Sequence, residues 1–199
     1  MSEQPYTATI TEAGDAWVAT LPDVGEVRVD DPRFADDRLR EMLGGRLGLR
    51  GHEQREDLEL RLVDADGEQV FGFLLLFNSY GDERPPEEYQ RIFDDPPAGC
   101  RWYDSRYHAG LYCLRRGATR LEAIASVVAE VRDRYGLGTE LNDLGFEKLW
   151  EWYGSPERGG DLVAHLLLMA VHRAELVGLS PEELVAFVTR VSGASLPDR

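Results

Sequence analysis

The sequence predicts an α+β fold, and three local patterns lead to that prediction. Residues 6–29 read as three short strands joined by tight turns, because β-branched and aromatic residues are separated by Gly and Pro. Residues 56–63 and 70–77 are a strictly alternating run and a fully apolar run, and both are typical of strands. Residues 109–136 read as a strand, a turn and an amphipathic helix. We therefore expect an N-terminal β-β-β-α-β unit, a central β-hairpin plus amphipathic helix, and a C-terminal helical segment.

The N-terminal unit begins with a hairpin, in which residues 6–10 and 16–21 flank a Gly14-Asp15 turn. A third strand over 26–29 and a helix over 36–47 follow, the helix with Leu39, Met42, Leu43 and Leu47 on one face. Each residue of its Gly44-Gly45 pair costs about 1 kcal/mol relative to Ala, so we expect this helix to end early.

The central unit is the clearest local pattern. Thr119 and Glu122 form a predicted capping box, in which the Thr hydroxyl accepts from the Glu122 amide and the Glu side chain reaches back to the Thr amide. The helix that follows has an apolar stripe and ends at Gly136; the stripe is Leu121, Ile124, Val127, Val128, Val131 and Tyr135. A hairpin around residues 104–108 would place Cys100 opposite Cys113, with two buried thiols favoured over a disulfide.

The remaining segments divide the chain. We predict a unit over 1–77, a proline-rich linker or insertion over 78–99, and a strand–helix unit with C-terminal helices over 100–199, which could pack together as one domain. A short helix is expected over 142–153, a break over 154–160, and an apolar helix over 162–177 that is capped by Asp161 and stopped by Gly178. A capping box from Ser180 to Glu183 opens a last helix.

Part of the N-terminal unit carries a family resemblance. Its motifs are Tyr6-x-Ala8-x-Ile10, Gly14-Asp15-x-Trp17-Val18-Ala19, Leu21-Pro22-Asp23-Val24 and a strand at 58–62. Residues 6–63 thereby resemble the β-β-β-α-β domain of HicB-type antitoxins, which holds a partner RNA-cleaving toxin inactive. The family's Gly-x-Thr-x-x-Glu-Ala helix entry is missing at the first helix and occurs instead at 117–123, which leaves open a second related unit in residues 100–199.

Composition restricts the choice of partner. The chain has 37 acidic and 22 basic residues and a net charge of −15, which argues against binding nucleic acid or an anionic membrane and is compatible with a basic protein partner. The sequence has no N-terminal apolar leader, so we predict a cytoplasmic protein. Residues 162–191 resemble part of a helix-turn-helix but carry few basic residues, which favours a helical hairpin used for packing or homo-oligomer formation.

The search for catalytic motifs favours a non-catalytic protein without cofactor or metal. Phosphate-binding glycine motifs, Cys-x-x-Cys pairs and nucleophile elbows are absent from the sequence. His165 and His172 lie seven residues apart on one helix, roughly 10 Å by rise alone, too far to share one ion.

Two functional hypotheses remain. The first is an acidic protein-binding module that neutralises or adapts a protein partner, as an antitoxin or immunity protein does, with Trp17, Asp23, Trp150 and Trp152 as candidate contacts. The alternative is a small-molecule-binding protein or enzyme with a pocket formed by Asp104, Tyr107 and His108.

Overall fold

The computed structural model describes residues 5–49, 58–77, 86–104, 109–141 and 156–192. The first elements are β1 (Tyr6–Ala13), β2 (Ala16–Leu21), β3 (Gly25–Val29), a single 3-10 turn (Pro32–Phe34), α1 (Ala35–Arg46) and β4 (Leu60–Val63). They are followed by β5 (Val70–Phe77), α2 (Pro86–Asp94), β6 (Cys100–Asp104), β7 (Ala109–Arg116), α3 (Arg120–Tyr135), β8 (Thr139–Leu141), α4 (Pro156–Leu176) and α5 (Pro181–Ser192). Both helices and strands are well represented, and the predicted α+β class is confirmed.

The first sheet has the strand order β3-β2-β1-β4 and forms the N-terminal unit together with α1. The first three strands pair antiparallel, and β4 returns parallel to β1. Leu39 and Leu43 of α1 pack with Ile10 and Trp17 of the sheet in one buried core. The predicted early end of α1 is wrong, because the helix runs through its glycine pair to Arg46; packing of its leucines offsets the low helix propensity of glycine.

The second sheet has the strand order β6-β7-β5-β8, and its strands are all antiparallel to their neighbours. Phe73 and Leu75 of β5 pack with Ile124 and Val127 of α3 in a second core. Leu121 was predicted to belong to the buried stripe of α3 but is exposed, because it lies in the first turn, beyond the part of α3 that faces the sheet.

The ends of α3 follow the predicted signals with one difference. Thr119 Oγ1 accepts a hydrogen bond from the Glu122 amide at 3.2 Å, and Gly136 ends the helix with φ 71°. The Glu122 carboxylate reaches back to the amide of Ala118 at 3.0 Å, one residue before the predicted Thr119.

The first sheet ends with β4 at Val63 and the second sheet begins with β5 at Val70, so the predicted unit over 1–77 contains strands of both sheets. β5 belongs wholly to the second sheet, where it lies between β7 and β8. Within the predicted linker, Tyr89 and Ile92 of α2 are buried in the second core, so this described part packs as a structural element. The prediction of a linker or insertion over 78–99 came from its polar, proline-rich flanks, which carry no information about which core a short helix joins.

The two sheets touch through the 3-10 turn. A side chain at Gly72 of β5 would place its Cβ 2.5 Å from the carbonyl oxygen of Pro32, so only glycine permits this approach. Val70, Tyr112 and Leu114 on the same side of the second sheet pack against the N-terminal core. The two units are therefore in buried contact at this turn.

The C-terminal elements are two helices joined by a turn at Gly178, where φ is 74°. α4 begins at Pro156, so the predicted break over 154–160 and the start at residue 162 are wrong for the described residues. The start of α5 matches the predicted capping box, because Ser180 Oγ accepts from the Glu183 amide at 3.2 Å and the Ser180 amide donates to Glu183 Oε2 at 2.8 Å.

Candidate protein-interaction surface

The structure places the sequence-predicted contact residues apart from one another. Trp17 is 1% exposed in the N-terminal core and is therefore not available as a surface contact. Asp23 is exposed in the turn before β3, with a positive φ of 62°. Trp150 and Trp152 lie outside the described residues, as do Tyr107 and His108 of the alternative pocket; Asp104 ends β6 opposite Ala109 of β7.

Trp17 is held by Arg101, which was not among the contact residues predicted from the sequence. The guanidinium of Arg101, on β6, lies 4.2 Å from the centroid of the Trp17 ring. Arg101 also donates from Nε to Glu12 at 2.6 Å and from Nη2 to the carbonyl oxygen of Ala16 at 2.9 Å. Tyr112 meets the same indole edge-on, with ring centroids 6.3 Å apart. Trp17 therefore joins the two sheets within the molecule.

Exposed apolar side chains gather instead on the C-terminal helices. Of the thirteen large apolar side chains that are exposed in the described part of the chain, nine lie between residues 163 and 188. We call these nine the C-terminal apolar surface: Val163, Leu166, Leu167, Met169, Val171, Val177, Leu179, Val185 and Val188. Clusters of exposed large apolar side chains are a common feature of protein interaction sites.

α4 contributes most of this surface because it is apolar nearly all round. Ala164 is buried in the second core and Leu168 packs against it, so this face of the helix covers α3 and β8. Val163, Leu166 and Leu167 follow at helical spacing on the opposite side and face solvent. The nine residues from 163 to 171 contain no Asp, Glu, Lys or Arg. A helix of this composition is normally covered on both faces.

α5 extends the surface and adds an acidic edge. Val185 and Val188 are exposed, and Val177 and Leu179 continue the surface through the turn between the helices. Glu182 and Glu183, also exposed, lie in the first turn of α5. The backbone amide of Ser180, and then its hydroxyl, hold the pKa of Glu183 below its ordinary value, so this carboxylate is charged at neutral pH.

The sequence contained a signal for this surface. The absence of Asp, Glu, Lys and Arg from residues 163–171 predicts a helix without a charged face to turn towards water, whereas the predicted contacts had been chosen among the tryptophans. Arg101 had no such signal, because its partners Glu12 and Trp17 are more than eighty residues away in sequence.

Two further properties bear on the chemistry of the surface. In the described ranges, no group of three or more His, Cys, Asp or Glu side chains is placed to hold a metal ion. Among the helices of those ranges, none combines the length and the apolar character needed to cross a membrane.

Comparison with known proteins identifies no relative of this chain, so a function can be argued only from its sequence and structure. No protein-family model, no curated protein and no solved structure matched this chain in the three comparisons.

Proposed function

We propose that this chain is a non-catalytic, acidic protein-binding module that neutralises or adapts a protein partner in the cytoplasm. The observation that carries the proposal is the C-terminal apolar surface, where nine large apolar side chains are exposed on two neighbouring helices and the turn between them. Removing such a surface from water is the main driving force for protein association. The antitoxin- or immunity-like role is the form of this proposal that the resemblance of residues 6–63 to HicB-type antitoxins supports.

The charge distribution indicates the chemistry of the partner. The apolar surface is flanked by the exposed carboxylates Glu182 and Glu183, on a chain whose net charge is −15. A partner with an apolar ridge and a basic rim would match both features. Its opposite charge would speed the encounter, whereas the apolar contact would supply most of the affinity.

Affinity capture with matched variants tests the proposal. The tagged protein is used to capture partners from its native cytoplasm beside a variant with Leu166→Glu and Val185→Glu, two positions that are 54% and 55% exposed. Leu47→Glu is the control, because Leu47 is 48% exposed but lies just after α1. We expect a stoichiometric basic protein to be captured by the wild type and the control and to be lost from the double variant.

Two results would contradict the proposal. One is a partner that all three proteins capture equally, which would move the binding site away from α4 and α5. The other is a chain that associates only with itself in size-exclusion chromatography, which would make the surface a homo-oligomer interface.

The alternative function was a small-molecule site at Asp104, Tyr107 and His108. Two of these three residues lie outside the described ranges, so no structural observation supports this alternative.

A further inference from the structure

The cysteines of this chain form a cross-strand pair. Cys100 opens β6 and lies directly opposite Cys113 of β7. The Leu114 amide donates to the Gly99 carbonyl oxygen at 2.8 Å, whereas the Cys100 amide turns away and donates to Pro97 at 2.9 Å. The pair therefore occupies a non-hydrogen-bonded position of the antiparallel ladder. At such positions the Cα atoms are about 4.5 Å apart, within the range of about 4.4–6.8 Å that a disulfide spans.

The two thiols also share one buried environment. Both are free and buried in the second core. Burial, and next the neighbouring Cys100 side chain, raise the pKa of the Cys113 thiol, in agreement with the cross-strand placement of the pair. The sequence contains only these two cysteines, so any disulfide within one chain joins them.

We propose that Cys100 and Cys113 form a reversible disulfide when the protein meets a low-molecular-weight disulfide such as oxidised glutathione. The Cys100 sulfur attacks the small disulfide, which breaks its S–S bond, forms a mixed disulfide and releases one glutathione thiol. The Cys113 sulfur then attacks the Cys100 sulfur and releases the second thiol. The two protein thiols lose two electrons and two protons, and the small disulfide is reduced to two thiols.

The position of β6 sets the order of these steps. Within the described residues, β6 is an edge strand of its sheet and pairs with β7 on one side. Cys100, at the start of this strand, is 6% exposed, and Cys113 is 0% exposed. An edge strand opens more readily than a central one, so Cys100 meets the oxidant first and Cys113 resolves the mixed disulfide.

The disulfide would act on the junction between the two sheets. The residue after Cys100 is Arg101, which holds Trp17 and Glu12 of the N-terminal unit. A link between Cys100 and Cys113 pins the strand that carries Arg101 and closes a short loop in the unfolded chain. We expect the melting temperature of the oxidised protein to rise by on the order of 5–10 °C, and to return on reduction.

Intact-mass measurement with thiol alkylation tests the proposal. The native protein is incubated with oxidised glutathione, then denatured, alkylated and weighed. The expected product has lost two hydrogens, carries no glutathione and takes up no alkylating reagent. Two alkylated thiols after prolonged incubation, or glutathione retained on both cysteines, would overturn the proposal.

Single variants test the order of attack. Cys113→Ala is expected to trap glutathione on Cys100, whereas Cys100→Ala is expected to leave Cys113 unmodified. Thermal unfolding checks that each variant is folded. Modification of Cys113 ahead of Cys100 in the wild-type protein, read by peptide mass spectrometry at short times, would contradict the assigned order even if a variant failed to fold.

Discussion

The N-terminal unit and the C-terminal helical hairpin distribute their large apolar side chains in opposite ways. In the described residues from 5 to 63, only Phe34 and Leu47 are large, apolar and exposed, whereas nine such residues are exposed between 163 and 188. α1 packs Leu39 and Leu43 into the core that its own sheet forms. α4 packs one face on the second sheet and leaves a second apolar face in water. The first region therefore buries nearly all of its large apolar side chains, whereas the second leaves many of them exposed.

The largest expected difference between the regions comes from one substitution made in both. Leu39→Ala removes a side chain that is fully buried against the first sheet and should lower the free energy of unfolding by about 2–5 kcal/mol. Leu167→Ala removes an exposed side chain of α4 and should change it by less than about 0.5 kcal/mol. Urea unfolding measures both. Equal losses would mean that α4 is covered within the isolated chain.

A pair of glycines tests the contact between the sheets. Gly72→Ala drives a methyl group into the backbone of Pro32 and should destabilise the protein by about 1–3 kcal/mol. Gly45→Ala meets nothing within 4 Å and lies inside α1, so it should stabilise the protein by about 0.5–1 kcal/mol. The opposite signs are read in one series of thermal unfolding curves. If Gly72→Ala left the melting temperature unchanged, β5 would not lie against the backbone of Pro32 in the 3-10 turn.

Arg101 gives a smaller effect at the same junction. Arg101→Lys keeps the charge but loses the stacking on Trp17 and one of the two fixed donors, so we expect a loss of about 1–2 kcal/mol. Arg28→Lys is the control, because both partners of the Arg28–Asp15 ion pair are exposed and water screens their attraction, so we expect little change. Chemical denaturation compares the two variants. Equal effects would remove Arg101 as a specific link between the sheets.

The smallest expected effect lies at the start of α5. The pKa of Glu183 is lower in the folded protein than its ordinary value of 4.5, so the charged carboxylate stabilises the start of α5 at pH values above 4.5. This stabilisation is lost as the pH falls through the pKa of the folded state. Hydrogen exchange at the first amides of α5 should speed up between pH 5 and pH 3, relative to the intrinsic rate. Glu183→Gln, which keeps a capping side chain without the charge, should flatten this pH dependence.

Short-range signals predicted the elements well, because their physical causes lie within a few residues. The hairpin around Gly14-Asp15, the hydroxyl cap at Thr119 and the capping box from Ser180 to Glu183 all occur at their predicted positions. Each depends on hydrogen bonds or backbone angles that a tight turn or a single helical turn contains. The errors concern helix extent: α1 continues through Gly44-Gly45 and α4 begins before residue 162, because contacts made elsewhere override weak local propensities.

The sequence alone determined the α+β class, the positions of most strands and helix ends, the acidic net charge of −15 and the stretch without charge at 163–171. Tertiary structure decided which sheet β5 joins, that Trp17 is buried beneath Arg101, and that the apolar α4 is left half uncovered. The reason is the range of the interactions. Periodicity shows that a helix has an apolar face, but only the packed chain shows whether another element lies on it.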